Sequence, residues 1–495
     1  MIDLEDLGLT PEPISGVDAS EPEPVFTPLA LTPESPLART LYEVWSGRPV
    51  TVVKAAPGSG KSTLITRLVS LLLMRTDLSV AILTPTRGAA FDLAERVGEA
   101  LADNCGPREK FTCIFGVSRP TEFNLVHSVP FGTQTGNARS VMVRTVASAS
   151  GVTNPVDVDV VIVDEAYQTT LSDMAVALRL ANQVVLVGDP GQIGPVVTVD
   201  DSVWAKHSTS PTRRAPEMLA ERADAVVVEL DTTYRLGPVS TELLNRLYDF
   251  PIRCGRSPRH VAFDPALDRP DVRTPAGGLP EVARLVVPTV VGRNESGYLR
   301  TVAETARSYV GRTVSITTPE GEPVDYTLEP SDICVVAAYK TQVTRLAATL
   351  DSFKVGPFKV GTADALQGGQ WHVVVAVDPL IAAETAEGHN ASMGRLTVML
   401  SRHMTHLVWV CDERWQKVLA ATPSTEPSLP MSLALREHLA ATPKINQLQD
   451  QLAGDGARSV RQYERGWISR VSRNRCVPRT RRLHRARRAR GSPVH

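Results

Sequence analysis

Short apolar runs alternate with helical patterns in two blocks of this chain. In the first block, residues 37–230, the strand-length apolar runs are 50–53, 79–83, 158–163, 184–187 and 225–228. In the second block, residues 231–421, they are 333–337, 359–362, 372–377 and 406–411. Strands that alternate with helices pack as a parallel sheet covered by helices on both faces. The pattern predicts an α/β protein with two domains in tandem.

Three stretches depart from this alternation. Residues 103–137 break the order of the first block and are predicted to form a short, loop-rich insertion. Residues 251–288 are rich in Pro, Gly, Arg and Asp, a composition that predicts an extended surface chain. Residues 422–457 read as a linker that contains one polar helix at about 432–452.

The two ends of the chain carry opposite charge. Residues 1–36 hold eight acidic residues, seven prolines and no Lys or Arg, which predicts a disordered acidic arm. Residues 458–495 hold thirteen Arg and one acidic residue, although the net charge of the whole chain is only −1. Flexible Arg-rich chain binds phosphates with little sequence preference, so this basic tail is a candidate nucleic-acid anchor. A solubilising tail, or an Arg run translated from an unselected stretch of a GC-rich gene, is the alternative.

Composition restricts the class of protein. A chain of 495 residues with 42% hydrophobic and 22% charged residues has apolar material for two or three globular domains. No apolar run approaches the roughly 18 residues that cross a bilayer, and the acidic amino terminus lacks the basic start of a secretory signal. The six cysteines are scattered without the spacing of a zinc site. We expect a cytoplasmic protein with no structural metal and no membrane partner.

Residues 55–62 read AAPGSGKS between the apolar run 50–53 and a helical pattern at 63–74. This is a P-loop in its strand-loop-helix context, where glycines let backbone N–H groups surround phosphate oxygens. Lys61 is expected to reach the β- and γ-phosphates of ATP, and the Ser62 hydroxyl is expected to bind Mg²⁺. A chance Gly-rich turn is the alternative. The predicted nucleotide-binding residues here are Ala56, Pro57, Gly58, Ser59, Gly60, Lys61, Ser62 and Thr63.

Two further apolar runs end in polar side chains. Residues 160–163 lead into Asp164 and Glu165, and residues 184–187 lead into a Gly/Pro-rich turn that contains Gln192. Carboxyl ends of parallel strands share one sheet edge, so these side chains are expected beside the P-loop. There Asp164 can hold Mg²⁺, Glu165 can activate the attacking water, and Gln192 can contact the γ-phosphate. An exposed sheet corner and a plain turn are the alternatives.

Six further stretches lie in a fixed order along the chain, and they are TPTRGAA at 84–90, RTVAS at 144–148, TYR at 233–235, AYKTQ at 338–342, GTADALQG at 361–368 and RLTVMLSR at 395–402. With the P-loop and the acidic strand end, these motifs make the chain resemble the superfamily 1 helicases. More narrowly, it is similar to superfamily 1B, which joins the up-frameshift (RNA surveillance) helicases and those of plus-strand RNA viruses. The resemblance covers roughly residues 45–412 and implies two tandem RecA-like P-loop domains with parallel sheets.

The resemblance also implies roles for residues outside the P-loop domain. Arg235 and Arg402 would be arginine fingers that reach the γ-phosphate across the interdomain cleft, where charge develops during phosphoryl transfer. Tyr339 would stack on or flank the adenine, and Gln367 would couple the nucleic-acid groove to the nucleotide. The remaining groove-lining residues would be Thr86, Arg87, Thr145, Thr362 and Asp364.

Some features depart from this family. Residues 37–47 contain no glutamine of the kind that reads adenine in this branch, and Gln370 replaces a glutamate that commonly contacts the ribose. The short insertion leaves little room for an accessory domain that splits duplexes.

The function expected from the motifs and the resemblance is an ATP- and Mg²⁺-dependent helicase or translocase, moving 5′ to 3′ on single-stranded DNA or RNA. An ATPase clamp without unwinding is the alternative, and a P-loop kinase is a third class that the second-domain motifs disfavour.

Overall fold

The computed structural model describes residues 31–445 except 105–110, 118, 134–138, 151–157, 178, 198–199, 205–206, 208, 265–276 and 319–320. The predicted acidic arm lies outside the described residues up to position 30, and the Arg-rich tail lies outside them entirely. Two parallel sheets, each flanked by helices, organise the described chain. We call the larger sheet with its helices the first lobe and the smaller sheet with its helices the second lobe.

The first lobe is an eight-stranded parallel sheet. Its strands are β1 (Val50–Ala55), β2 (Val80–Thr84), β3 (Phe111–Phe115), β4 (Val129–Pro130), β5 (Arg139–Thr145), β6 (Val158–Val163), β7 (Ala181–Gly188) and β8 (Ala225–Leu230). They lie side by side in the order β4-β3-β5-β2-β6-β7-β1-β8. The central strands are buried on both faces, which explains why they read as continuous apolar runs rather than as alternating ones.

Helices cover this sheet. They are α1 (Pro36–Trp45), α2 (Lys61–Arg75), α3 (Arg87–Asn104), α4 (Val146–Ser150), α5 (Leu171–Ala177) and α6 (Ala215–Ala220). Helix α2 buries Leu64, Leu68 and Leu72, whose four-residue spacing aligns them along one stripe of the helix. Because α2 begins directly after the P-loop, this packing holds the loop at the carboxyl end of β1.

The second lobe and its connections begin with the short strand β9 (Thr232–Thr233). The elements that follow are α7 (Pro238–Leu244), β10 (Arg253–Cys254), β11 (Arg259–Val261), β12 (Val282–Val286), α8 (Ser296–Ser308), β13 (Thr313–Thr317), β14 (Pro323–Thr327), β15 (Ile333–Ala337), α9 (Lys340–Ser352), β16 (Lys359–Thr362), β17 (Trp371–Val377), α10 (Met393–Leu400), β18 (His403–Cys411), α11 (Trp415–Ala421) and α12 (Leu429–Ala441). The main sheet is parallel with the order β12-β18-β17-β15-β16, and β11-β13-β14 form a separate antiparallel sheet.

Short 3₁₀ turns connect several of these elements, and they are Pro120–Glu122, Ala166–Gln168, Ser202–Trp204, Pro330–Asp332, Asp364–Leu366 and Gly388–Ala391. Within the part of the chain that the structure describes, no helix combines the length and apolar character needed to cross a bilayer.

The predicted fold class is confirmed, because both sheets are parallel and each of the nine predicted strands overlaps a strand of the structure. Three predictions about the intervening segments are wrong. The stretch 103–137 is not loop-rich throughout, since β3 and β4 extend the first sheet from it. The stretch 251–288 is not all surface chain, since β12 is an edge strand of the second sheet and pairs with β18. Helix α12 ends at Ala441, well before the predicted 452.

The shortness of β3, β4 and β12 explains the first two errors, because strands of two to five residues are fixed mainly by the neighbouring strands with which they pair. Helix α12 is also no free linker. Arg436 on this helix is 2% exposed and forms a buried ion pair with Asp378 at 2.8 Å. The helix therefore packs as part of the second lobe.

The two lobes meet at the P-loop. The Thr233 hydroxyl donates a hydrogen bond to the Pro57 carbonyl at 2.6 Å, and the Tyr234 N–H donates to the Gly58 carbonyl at 3.0 Å. The chain that leaves the first lobe after β8 therefore runs directly against the P-loop before it enters the second lobe.

Candidate functional site: the cleft between the two lobes

The P-loop has the backbone that a phosphate cradle requires. Gly58 and Gly60 adopt φ values of +73° and +89°, a left-handed region in which glycine avoids the penalty that a Cβ brings. A Cβ on Gly58 would also collide with Arg235. Gly60 precedes the first turn of α2, whose N–H groups and helix dipole favour an anion. The Ser59 hydroxyl is buried without a hydrogen-bond partner among the described residues, so the loop fits a triphosphate.

Two acidic side chains follow β6 beside this loop. Asp164 is 8% exposed, and its Oδ1 accepts a hydrogen bond from the Glu165 N–H at 2.9 Å. Burial, and then the neighbouring Glu165 charge, raise the pKa of Asp164 to about 7. Such a carboxylate is stabilised by a cation, and the oxygens of Asp164 and of the Ser62 hydroxyl in the first turn of α2 are ligands of the kind that suits Mg²⁺.

Glu165 stands next to the P-loop lysine. Its backbone adopts φ 51°, an uncommon conformation for a residue with a side chain. The Lys61 Nζ atom lies 3.4 Å from Glu165 Oε1. The lysine and the carboxylate therefore form an ion pair at the place where a γ-phosphate would have to enter.

The turn after β7 forms a buried hydrogen-bonded group. Asp189 is 1% exposed and accepts hydrogen bonds from the Gln192 amide and the Tyr248 hydroxyl, each at 2.7 Å. Burial raises the pKa of Asp189 despite the opposing effects of Lys61 and of these hydrogen bonds. The Gln192 Oε1 atom is buried with no hydrogen-bond partner among the described residues, so one end of the amide is held while the other remains available.

Arg402 follows α10 and is fully buried in the second lobe. Its guanidinium donates hydrogen bonds to the Val398 carbonyl at 3.2 Å and to the Ser401 hydroxyl at 3.0 Å. Burial lowers the pKa of Arg402. Its side chain is thus held by neutral groups, with no carboxylate of its own lobe in contact among the described residues.

Arg235 approaches the same place from the loop after β9. Its Nε donates to Gln370 Oε1 at 3.0 Å and its Nη1 donates to the Ser401 carbonyl at 3.1 Å. Burial, and then the charge of Arg402, lower the pKa of Arg235 to about 9. Gln370, which stands where the family commonly has a glutamate, holds this arginine without neutralising it.

The structure brings these arginines together with the acidic side chains of the first lobe. Both Arg235 and Arg402 interact electrostatically with Glu165 and Asp189. Two adjacent guanidinium groups repel each other in a cleft of low dielectric constant. A bound anion would relieve that repulsion, so the cleft is arranged for a strongly negative ligand.

The structure does not bring Tyr339 to the P-loop. Its ring lies under the Arg293 guanidinium at 4.5 Å from the ring centroid and against His389 at 5.1 Å. The sequence motif assigns the base contact to Tyr339, which is not among the residues that line the cavity beside the P-loop, and assigns no base contact to Tyr234. Tyr234 is 61% exposed and lines a cavity of about 470 Å³ beside the P-loop.

This cavity is lined by the start of α1, by the P-loop and α2, and by the chain that follows β8. Its lining residues are Leu31, Thr32, Ser35, Pro36, Leu37, Ser59, Gly60, Thr63, Leu64, Arg67, Leu230, Asp231, Thr232 and Tyr234. Aliphatic side chains and one aromatic ring thus stand beside the phosphate cradle, as a nucleobase requires.

The predicted groove residues of the first lobe lie at one sheet edge. Thr86 follows β2 and Thr145 ends β5, and these strands are adjacent. The two hydroxyls accept hydrogen bonds from the first turns of α3 and α4. Arg87 extends from the same edge and pairs with Glu122 at 2.8 Å.

The second-lobe members of the predicted groove lie at the end of β16 and in the segment that follows it. The Thr362 hydroxyl accepts a hydrogen bond from the Ala365 N–H at 3.4 Å. Asp364 accepts two hydrogen bonds from the Arg395 guanidinium, at 3.0 and 3.1 Å. Gln367 has a buried Nε2 without a hydrogen-bond partner among the described residues. Asp364 is therefore neutralised by its own lobe, a pairing that the sequence did not reveal.

A buried polar group that sequence reasoning missed supports both arginines. Glu281 accepts hydrogen bonds from three backbone N–H groups at the start of α7, at 2.9, 3.1 and 3.2 Å. The hydroxyl of Ser240, in the same turn, lies 2.7 Å from Nε2 of His403. Because α7 follows Arg235 and His403 follows Arg402, this group ties the two segments together.

Comparisons with known proteins agree with this geometry. Two family models, each described as an AAA domain, match residues 41–198 and 215–414. The DNA replication ATP-dependent helicase/nuclease DNA2 of Xenopus laevis is 23% identical over 372 residues, which cover 69% of this chain and 33% of that protein. The RecBCD enzyme subunit RecD of Mycobacterium tuberculosis is 25% identical over 210 residues, covering 41% of this chain and 32% of the relative. The chain thus spans about a third of the length of these relatives.

Solved helicase structures also align with the chain. The PRRSV helicase aligns with a TM-score of 0.40 and 15% identity, covering 76% of this chain and 56% of that one. Arterivirus nonstructural protein 10 (helicase), solved in a complex with DNA, has a TM-score of 0.40 and 16% identity, with coverages of 75% and 63%.

One family model covers the P-loop and most of the first sheet, and the other covers β8 of that sheet together with the second sheet and both arginines. By their names, the matched relatives are a helicase/nuclease and a subunit of the RecBCD enzyme. This chain belongs to the superfamily 1 helicases, a family of ATP-hydrolysing enzymes.

Proposed function

We propose that this chain hydrolyses ATP in the cleft between its lobes when single-stranded nucleic acid is bound, and that it moves 5′ to 3′ along the strand. One observation supports the proposal above the others. The positive charges of Arg235 and Arg402 in the second lobe interact with the negative charges of Glu165 and Asp189 in the first lobe. Catalysis by groups from both lobes makes hydrolysis depend on cleft closure, which is the basis of a motor cycle.

Each site residue has a distinct task in this proposal. The P-loop N–H groups and Lys61 bind the phosphates, while Ser62 and Asp164 would hold Mg²⁺, whose charge offsets that of the phosphate oxygens. Glu165 would accept a proton from the attacking water, and Gln192 would orient that water or the γ-phosphate.

The two arginines would stabilise the charge that develops on the transferred phosphoryl group. Their depressed pKa values fit this role, because the positive charge is poorly compensated until an anion arrives. Hydrogen bonds to backbone carbonyls and neutral side chains hold both guanidinium groups in place. The lobe therefore presents a preorganised positive site rather than a flexible one.

We propose Tyr234 as the residue that stacks on the nucleobase. Among the described residues, the lining of the cavity contains no side-chain amide of Asn or Gln. Such an amide would form paired hydrogen bonds with one base edge, so we expect weak discrimination between ATP and GTP. Measuring KM and kcat for both nucleotides tests this, and a strong preference for ATP would contradict it.

We propose DNA as the natural strand, because the matched relatives include a DNA replication helicase/nuclease and a subunit of the RecBCD enzyme. The decisive experiment compares ATP hydrolysis without polymer, with poly(dT) and with poly(U). We expect strong stimulation by poly(dT), and no turnover in Lys61→Ala under any condition. If neither polymer raises the rate of ATP hydrolysis, the proposal of a motor that moves along nucleic acid is wrong.

The second candidate is a clamp or remodeller that does not separate strands. It is favoured by the short insertion, of which the structure describes only the small strands β3 and β4 and their adjoining loops. Duplexes with a 5′ or a 3′ single-stranded overhang distinguish the two functions. Unwinding of the 5′-overhang duplex alone supports a 5′-to-3′ helicase, whereas polymer-stimulated hydrolysis without unwinding of either duplex supports the clamp.

A further inference from the structure

Three side chains of the second lobe are layered on one another outside the ATP cleft. The guanidinium of Arg293 lies 4.5 Å from the centroid of the Tyr339 ring, and the ring of His389 is stacked on Tyr339 at 5.1 Å with an interplanar angle of 27°. We call these three residues the His389 stack. No sequence motif includes Arg293 or His389, and neither has a role in the proposed ATPase chemistry.

The His389 stack lies at the edge of the sheet where a strand would bind. Tyr339 follows β15, and Asp364 follows the adjacent strand β16, so both stand at the carboxyl ends of neighbouring parallel strands. His389 interacts electrostatically with Asp364 and with its partner Arg395. The stack is therefore next to the second-lobe residues of the predicted groove.

The same place borders the first lobe. Helix α10 begins four residues after His389, and Gly394 in its first turn packs so closely on Gln192 and Ile193 that a Cβ there would come within 2.9 Å of their backbone. A strand that passes from one lobe to the other would cross this seam. His389 thus precedes by a few residues a close contact between the two lobes.

The ring of His389 has the properties of a stacking surface. It is exposed to solvent, whereas Tyr339 beneath it is half-buried. Burial, and then the nearby charge of Arg395, lower the pKa of His389, so the ring is largely neutral at neutral pH. The Tyr339 hydroxyl is already bonded to Asn390, so the tyrosine does not need His389 to hold it.

Flat rings and guanidinium groups in such layers are the surfaces on which proteins stack single-stranded bases. We propose that a base of the bound strand stacks on the exposed face of His389, which makes the His389 stack a nucleobase-binding site of the second lobe. This inference rests on the proposed function and identifies one contact through which the second lobe grips its strand. The Arg293 guanidinium adds positive charge to the stack, which favours the flanking phosphates.

The test separates base stacking from phosphate binding. Equilibrium binding of the full chain is measured with fluorescein-labelled oligo(dT) and with an abasic oligomer of the same length, which has the phosphates but no bases. His389→Ala should weaken oligo(dT) binding about tenfold, the order expected for loss of one base–aromatic stack. It should leave abasic binding and the ATPase rate without polymer unchanged.

His389→Phe supplies a ring without the imidazole nitrogens and should restore oligo(dT) binding. His438→Ala, a partly exposed histidine on α12, is the matched control and should bind both oligomers as wild type does. Equal loss on both oligomers, or no loss on either, would overturn the stacking site. If wild type shows polymer-stimulated hydrolysis while His389→Ala matches it in every assay, the inference alone fails. If wild type binds neither oligomer and shows no stimulation, the proposed function fails and the inference with it.

Discussion

The two lobes share a parallel-sheet architecture but present opposite charges to the cleft. The first lobe contributes Asp164, Glu165 and Asp189, each placed directly after a buried strand. The second lobe contributes Arg235 and Arg402, which stand in the segments that precede α7 and follow α10. A lone lobe would therefore hold either clustered carboxylates or clustered guanidinium groups, and both arrangements are electrostatically costly.

This difference shows how one ligand can unite two domains. Mg²⁺ would compensate the carboxylates, and the triphosphate would compensate the arginines, so the complete nucleotide complex satisfies both lobes together. The strength of the lobe–lobe contact then depends on the γ-phosphate. The predictions below alter one side of this arrangement at a time.

The largest loss of ATP hydrolysis is expected when an arginine of the second lobe is replaced. Arg235→Ala and Arg402→Ala should each lower the polymer-stimulated kcat by about a thousandfold, the magnitude that an arginine finger supplies in phosphoryl transfer. Steady-state hydrolysis measures this, together with binding of a fluorescent ATP analogue. The control is Arg300→Ala, because Arg300 is exposed and pairs with Glu304 on α8. Normal turnover in either finger variant would disprove the shared-cleft mechanism.

On the first lobe, Glu165→Gln should lower kcat by about a hundredfold or more, as expected for loss of a general base. The amide keeps the shape of the side chain, so nucleotide affinity should remain within a small factor of wild type. Single-turnover hydrolysis and equilibrium binding separate the two quantities. Glu242→Gln on the surface of α7 is the control, and a variant that loses binding instead of turnover would assign Glu165 to nucleotide affinity.

Substitution of Glu281, the buried carboxylate that links the segments of the two arginines, should lower the stability of the fold. Burial alone would raise the pKa of Glu281, but His403, Ser240 and Arg256 outweigh it and lower the pKa to about 2. Glu281→Gln should lower the free energy of unfolding at pH 7 by about 3 kcal/mol, because Arg256 would keep a buried charge without its counterion. Chemical denaturation of wild type and variant measures the difference.

The difference in stability between wild type and Glu281→Gln should depend on pH. The pKa of Glu281 is lower in the folded chain than its ordinary value of 4.5, so its contribution is complete above that pH and is lost as the pH falls towards 2. The gap in stability between wild type and Glu281→Gln should therefore narrow on acidification. A gap that widens would mean that the carboxyl group is protonated in the folded protein.

The smallest change in activity is expected from Tyr234, which lines the cavity beside the P-loop. Tyr234→Ala should raise KM for ATP about threefold to tenfold, as expected for loss of one aromatic contact, with kcat little changed. Tyr339→Ala should leave KM unchanged, because its ring contacts Arg293 and His389 rather than the cavity. The opposite ranking of the two tyrosines would restore the assignment made from the sequence motif.

The sequence predicts those parts of the site that are local. A P-loop, and acids placed directly after a strand, need only their neighbours in the chain, and the predicted strands that bear them are present. Contacts between residues that are distant in the sequence could not be predicted. The Asp189–Tyr248 hydrogen bond joins residues 59 apart, and the Ser240–His403 contact joins residues 163 apart. The contacts of Tyr339 with Arg293 and His389 could not be predicted for the same reason, since a motif identifies a residue but not the surface against which it packs.

The Lys61–Glu165 ion pair has a consequence for idle turnover. The ammonium group of Lys61 lies 3.4 Å from the Glu165 carboxylate. If Lys61 binds the γ-phosphate as we propose, that phosphate would compete with Glu165 for the ammonium group. Binding of ATP would then release the carboxylate that is proposed to accept the proton, so the substrate would activate its own hydrolysis.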